Sequence, residues 1–186
     1  VLSRIDDELK GKADARRQRL EALLDAGHGA CYLRDPRVAE IVEAALLHFE
    51  GARYRLLAWV VMPNHAHVIV ETIPGFPLAN VVHSWKSFSA NRANALLDRI
   101  GTFWQREYFD RAIRDERHLA ASVAYIHGNP CKAGLVDSAE DWPFSSASKT
   151  GEHPGSAGIL PAPGVFPQGR QDAGAPRMLP VDSRAS

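Results

Sequence analysis

The chain is poor in the features that usually narrow a protein's class. It has two cysteines, Cys31 and Cys131, in 186 residues. Two do not make a disulfide framework, so the oxidised small-domain class is excluded and a reducing cytoplasm is the expected compartment. No apolar run reaches membrane-spanning length and no signal peptide opens the chain, which argues against a membrane partner. Net charge is also lacking: 22 Lys and Arg balance 22 Asp and Glu. Nucleic-acid binders are usually basic, so any DNA role must rest on a local surface rather than on the overall charge. An initiator methionine is absent too, since the first residue is Val1; either the start has been processed or the sequence is a piece of something longer.

What is present is ordinary: 45% hydrophobic and 24% charged residues, the balance of a soluble globular protein. The length suits one good-sized domain with an extension, or two small ones. Residues 3–26 are charged with helical periodicity. Over "RDPRVAEIVEAALLHFEG", Asp35 is placed as an N-cap, Pro36 as the first helical residue and Gly51 as the stop. Val38, Ile41, Val42, Ala45, Leu46 and Phe49 form the buried stripe of that helix. Two strands, roughly 53–62 and 65–73, flank Pro63 and Asn64 as a hairpin. Residues 77–97 read as a helix and 101–115 as mixed, with a short extended piece. Asp115 caps a further helix expected to end before Pro130. "WPFSSA" (142–147) closes a domain spanning 1–149. From 150 to 186 the Pro, Gly and Ala content rises, periodicity vanishes, and the composition is that of a disordered tail.

The hairpin "RYRLLAWVVMPNHAHVIVETI" carries His65 and His67 two residues apart. In a strand, such residues project from the same face, so two imidazoles stand side by side. A matched imidazole pair is a natural start to a divalent-metal site, but two ligands are too few. The helix after Asp115 offers the rest. Leu119, Val123 and Ile126 form its core stripe, while Ala121, Tyr125 and Asn129 recur four apart on another face. Laid over the histidine strand, that face would give a metal held by His65, His67 and Asn129 with the Tyr125 phenol beside it. Such a group suits phosphodiester chemistry. A phenol with its ordinary pKa of about 10 is a poor nucleophile at neutral pH, and a divalent cation polarises the phosphate it must attack. The product is a covalent phosphotyrosine.

"MPNHAHVIV", "FWQREYFDRAIRDERHL", "AYIHGNPCKAGLV" and "WPFSSA" occur in that order. Together they resemble the REP-associated tyrosine transposases, single-tyrosine members of the HUH (His-hydrophobic-His) endonuclease superfamily. The resemblance covers about residues 20–147. It implies an α+β, ferredoxin-like antiparallel sheet flanked by helices. It also implies single-stranded DNA cleavage near short palindromic hairpins with Mg²⁺ or Mn²⁺. His65 and His67 match the family's metal pair and Tyr125 in "YIHGNP" its nucleophile, while Asn129 is the third-ligand candidate on spacing. Family members carry a strand before the first helix that this chain starts too late to contain, so the sheet is expected to lack a partner beside the histidine strand. Cys131 stands where valine is commoner in the family, a change expected to be structurally mild.

The tail holds a pattern of another kind. Residues 151–162, "GEHPGSAGILPA", and residues 169–180, "GRQDAGAPRMLP", can be written in codons that are reverse complements of each other. Ala162 (GCC) pairs with Gly169 (GGC), His153 (CAT) with Met178 (ATG), and Gly151 (GGG) with Pro180 (CCC). All twelve codon pairs are compatible, while Thr150 with Val181 and Pro163 with Gln168 are not. A translated REP-like palindrome, with a six-codon loop, is the expectation.

Plainer readings stand beside these. His65 and His67 can be surface histidines, Tyr125 a packed amphipathic residue, and Asn129 a helix C-terminal cap. His127 is expected to be exposed. Trp85, Phe88, Phe103 and Trp104 are expected in the core rather than as base-stacking platforms. Lys86, Arg92, Arg106, Arg111, Arg114 and Lys132 can line a DNA track through phosphate contacts. Acidic Glu107, Asp110, Asp115 and Glu116 interleave with them, as on any solvated face. Two rival functions remain: a hairpin-binding module without activity, and a HIT-type nucleotide hydrolase. The second would want a histidine where Ile69 stands.

Overall fold

Two nearly continuous buried runs within residues 54–72 build the centre of the molecule. The computed structural model describes residues 29–106, 108–148 and 176–182, together with Ala15, Arg19 and Leu23. Helix α1 (Pro36–Leu47) leads into the hairpin of β1 (Tyr54–Val61) and β2 (His65–Thr72). Helix α2 (Leu78–Leu96), the two-residue strand β3 (Arg111–Ala112) and helix α3 (Glu116–Lys132) follow, and β4 (Arg177–Asp182) comes last. The sheet is antiparallel, in the order β1-β2-β4-β3. The architecture is α+β, with helices on both faces of the sheet, as the resemblance implies.

The pleat sorts the side chains into two cores. Leu56, Trp59, Val61, Ala66, Val68, Val70, Leu179 and Val181 face α1 and α2, meeting Val38, Val42, Leu46, Val81 and Trp85. Leu57, Ala58, Val60, Ile69 and Met178 face α3, meeting Leu119 and Ile126. A bulge between Leu56 and Ala58 puts Leu57 and Ala58 on the same side. The far edge of β1 is covered by the segment after α3. Val61 N–H donates to Phe144 O at 2.8 Å, and Trp59 N–H donates to Ser146 Oγ at 3.0 Å. "WPFSSA" therefore closes the sheet edge.

Both predicted N-caps are in place. The Asp35 side chain accepts from Arg37 N–H, and that of Asp115 from His118 N–H. Three expectations need correcting. Helix α1 ends at Leu47, before Gly51, whose positive φ of 76° serves the turn into β1. Helix α3 does not stop before Pro130 but runs on to Lys132. A proline inside a helix costs about 3 kcal/mol when exposed. Here Asn129 and Pro130 are both buried, and packing holds the turn. Phe88 is 47% exposed, whereas Trp85, Phe103 and Trp104 are core residues as expected.

The largest departure lies in the tail. Residues 177–182 form a strand rather than irregular chain, and that strand sits beside β2 with His67 opposite Pro180 and His65 opposite Asp182. The histidine strand therefore has neighbours on both sides, contrary to the expectation of a missing partner. Leu179 is fully buried and Val181 nearly so. A short continuous apolar run, Met178 to Val181, outweighs the Pro/Gly-rich company it keeps. Residues 150–175 lie outside the described residues. So does most of the predicted helix 3–26, of which Ala15, Arg19 and Leu23 are helical and exposed.

Candidate active site

Strand β2 places His65 and His67 side by side on the α3 face, as their spacing requires. Both are 0% exposed, which removes the surface-histidine reading. Their Nε2 atoms are 3.0 Å apart and the rings meet edge to face at 4.6 Å. The amide oxygen of Asn64, in the hairpin turn, accepts a hydrogen bond from His65 Nδ1 at 2.8 Å. That bond fixes the ring and leaves its Nε2 lone pair directed at His67. A second hydrogen bond of this kind is what orients a metal-ligating histidine. The separation fits as well: two ligands at right angles, each 2.0–2.1 Å from one ion, lie about 3.0 Å apart. Ile69 occupies the next position on this face, buried, where a nucleotide hydrolase of the HIT type would need a third histidine.

Helix α3 brings the tyrosine. Its Leu119 and Ile126 pack on the sheet, and this sets the rotation that carries Tyr125 over β2. The Tyr125 ring stands edge-on to His67, centroid to centroid 5.5 Å. Lys132, two turns further along the same face, holds its ammonium 5.6 Å from the Tyr125 ring. Asn129 lies one turn beyond Tyr125 and is 2% exposed. Its amide nitrogen is buried without a hydrogen-bond partner among the described residues. A half-turn of the amide would put the oxygen there instead, an acceptor in a seat that a cation satisfies. The capping reading of Asn129 does not hold, because the cap is Ala133. Among the described residues no three His, Cys, Asp or Glu side chains cluster as a metal site. Asn129 offers a buried amide on the same helix as Tyr125.

Beside Tyr125 opens a cleft of about 240 Å³. Arg111, His118, Ser122, Met178 and Pro180 line it with the tyrosine, as do Phe109, Asp110 and Ala121. Arg114 N–H donates to His118 Nδ1 at 3.3 Å. Partial burial, aided by the nearby Arg111 charge, pushes the His118 pKa down, against the pull of Asp115. Its neutral ring therefore carries the proton on Nε2. Sequence reasoning missed His118, although its place seven residues before Tyr125 puts both on one helical stripe.

The basic candidates divide. Arg111 lines the cleft and Lys132 stands on the tyrosine. Arg106 and Arg114 are exposed. Lys86 and Arg92 belong to α2, which packs on the opposite face of the sheet, so the structure does not bring them to Tyr125. The Lys86 ammonium donates to the carbonyls of Gln105 and Arg106. Contrary to expectation His127 is not exposed: it is half-buried, its Nε2 2.8 Å from Ser146 Oγ. Burial pushes its pKa down. No helix among the described residues is long and apolar enough to cross a membrane.

Comparison with known proteins converges on this same region. Residues 34–129, from the residue before the Asp35 cap to Asn129, match the sequence model of a family described as "Transposase IS200 like". The chain is 31% identical over 93 residues to a REP-associated tyrosine transposase of Escherichia coli K12, covering 50% of this chain and 54% of that protein. It is 39% identical over 106 residues to a putative REP-associated tyrosine transposase of Haemophilus influenzae, covering 50% and 58%. It thus spans little more than half the length of these relatives. A solved structure of a REP-associated tyrosine transposase bound to a REP hairpin superimposes with a TM-score of 0.53. The match has 23% identity and covers 66% of this chain and 71% of that one. At that identity the likeness speaks for the fold.

Proposed function

The chain belongs to the IS200-like transposase family. On that premise we propose that it is a divalent-metal-dependent single-stranded DNA endonuclease and strand transferase. It acts at REP-like hairpins through a covalent 5′-phosphotyrosine on Tyr125. The observation that carries the proposal is the Tyr125 ring standing edge-on to His67, over two buried imidazoles whose Nε2 atoms converge.

His65, His67 and the Asn129 amide would hold Mg²⁺ or Mn²⁺. Such an ion polarises the scissile phosphate and offsets the charge that builds on it. Asn64 keeps the His65 ring in its ligating orientation. The Tyr125 ring lies 5.5 Å from that of His67, so attack would need no large search. The Tyr125 oxygen forms a bond to phosphorus as the bond to the 3′ oxygen breaks. The phenolic proton is lost and the departing 3′ oxygen is protonated. Attack by a 3′ hydroxyl on the phosphotyrosine reverses the exchange. One phosphodiester is replaced by another of similar energy, so strand joining needs no nucleotide triphosphate. Lys132, near the Tyr125 ring, and Arg111, on the cleft, would meet backbone phosphates.

The test is a single-stranded oligonucleotide carrying the 151–180 hairpin with its flanks, incubated with Mn²⁺ and resolved on a denaturing gel. The expected result is a covalent protein–DNA band that both Tyr125→Phe and His65→Ala abolish. Hairpin binding with no such band would overturn the catalytic reading and leave a binding module.

A further inference from the structure

Strand β4 does more than fill a place in the sheet. Its register sets Pro180 opposite His67 and Met178 opposite Ile69, so these two side chains emerge on the α3 face. Both line the cleft beside Tyr125. The strand is pinned on its other edge as well. Ile113 N–H donates to Pro176 O at 2.8 Å, Met178 lies opposite Arg111, and Arg177 forms an ion pair with Asp110. The wall is therefore held on both edges within the sheet.

The chemistry of the cleft is two-sided. One part is apolar and aromatic, made by Phe109, Tyr125, Met178 and Pro180. The rim is polar and cationic, with Arg111 and the Nε2–H of His118. The nearby Asp110 carboxylate is met by Arg177, so it does not confront an incoming anion alone. At about 240 Å³ the space is smaller than the roughly 300–1,000 Å³ of clefts for drug-sized ligands. One flat ring fits it better than a dinucleotide does. Thioether and aromatic surfaces suit such a ring.

We propose that this cleft is a subsite for one unpaired nucleobase next to the scissile phosphate, and that Met178 and Pro180 of the C-terminal strand form the wall on which the base packs. The proposal rests on the single-stranded DNA reading above. It adds that the last strand, not the helix alone, positions the substrate at Tyr125. Arg111 and His118 then receive the phosphate of the same nucleotide.

The experiment measures binding of a fluorescein-labelled ten-nucleotide oligo-dT by anisotropy, with EDTA present so that no cutting occurs. A second probe has the same backbone with abasic residues throughout. Met178→Ala should weaken oligo-dT binding about tenfold, within the range for one base stacked on a side chain, and leave the abasic strand unchanged. Met178→Leu, similar in size, should bind like the parent. If Met178→Ala binds oligo-dT as the parent does, or loses the same factor on both probes, the base wall does not exist. Thermal unfolding of each variant separates loss of the wall from loss of the strand. Failure of covalent adduct formation with base-dependent binding intact would sink the phosphotyrosine mechanism alone. Adduct formation without base-dependent binding would sink only the subsite.

Discussion

Leu179→Ala tests whether the strand drawn from the proline-rich tail belongs to the folded domain. Leu179 is fully buried and packs in the core that also contains Trp59, Val68 and Trp85. Truncating a sealed leucine loses its transfer energy and leaves a cavity, together about 2–5 kcal/mol. That is a large part of the roughly 5–15 kcal/mol by which domains are stable. In a domain of this size each kcal/mol moves Tm by about 2–4 °C, so a fall of about 4–20 °C is expected. The assay is thermal unfolding followed by circular dichroism, with Leu135→Ala as the control, since Leu135 is 38% exposed. Hydrogen exchange adds a local reading: the β2 amides shared with β4 should lose protection in the variant. A Tm within roughly 1 °C of the parent, with those amides unchanged, would refute the reasoning, because β4 would then contribute nothing to the fold.

Asn64→Ala should lower Mn²⁺ affinity about 10–100-fold, the usual cost of losing a histidine's orienting partner, as measured by calorimetry; unchanged affinity would show that Asn64 does not set the His65 ring. Tyr54→Phe should cost about 1–3 kcal/mol in chemical denaturation, because Leu46 O and the Trp85 indole N–H lose the hydroxyl between them. Burial raises the Tyr54 pKa, so above about pH 10 the unfolded chain releases a proton that the folded one keeps. Stability should therefore fall as pH rises past that point, and the Phe variant should show a smaller fall. Lys132→Ala should weaken single-stranded DNA binding and reduce the slope of log affinity against log salt by about 0.7, the share of one phosphate contact; an unchanged slope would place Lys132 off the DNA.

The parts of this molecule that follow local rules were legible. The i, i+2 spacing of His65 and His67 predicted neighbouring imidazoles, and their Nε2 atoms are 3.0 Å apart. The four-residue repeat of Tyr125 and Asn129 predicted a shared helical face, and both caps at Asp35 and Asp115 were readable. What failed depended on distant contacts. Pro130 sits inside a helix because the surrounding core holds it, which no local propensity records. His127 meets Ser146, nineteen residues away, and this pairing draws it inward. Lys86 and Arg92 carry the right charge on the wrong side of the sheet, since only tertiary packing decides which face α2 covers. Met178 and Pro180 were hidden because composition averaged over the tail masks a short apolar run within six residues.

That six-residue strand also bears on the inverted repeat expected in the gene. Residues 176–180 belong to the repeat's second arm, pairing in codons with 151–155. Methionine has a single codon, so Met178 demands CAT at His153 if the repeat is complete. Leu179 must remain a large apolar residue to fill its core seat, and position 178 must keep a side chain of about methionine's size to line the cleft. Under the proposed function, the same bases would then form part of the DNA hairpin and encode the wall of the site that cuts it. Base changes in this arm are silent to both only if they preserve pairing and residue together. Recoding 151–155 synonymously breaks the pairing while leaving the protein identical, whereas Met178→Ala alters the protein in a reaction whose substrate is a separate, intact oligonucleotide. If recoding lowers cutting of the gene's own single strand and Met178→Ala lowers cutting of the intact oligonucleotide, the two roles are separate and both real. Cutting that ignores the recoding would leave the codons of β4 with no role beyond encoding the strand.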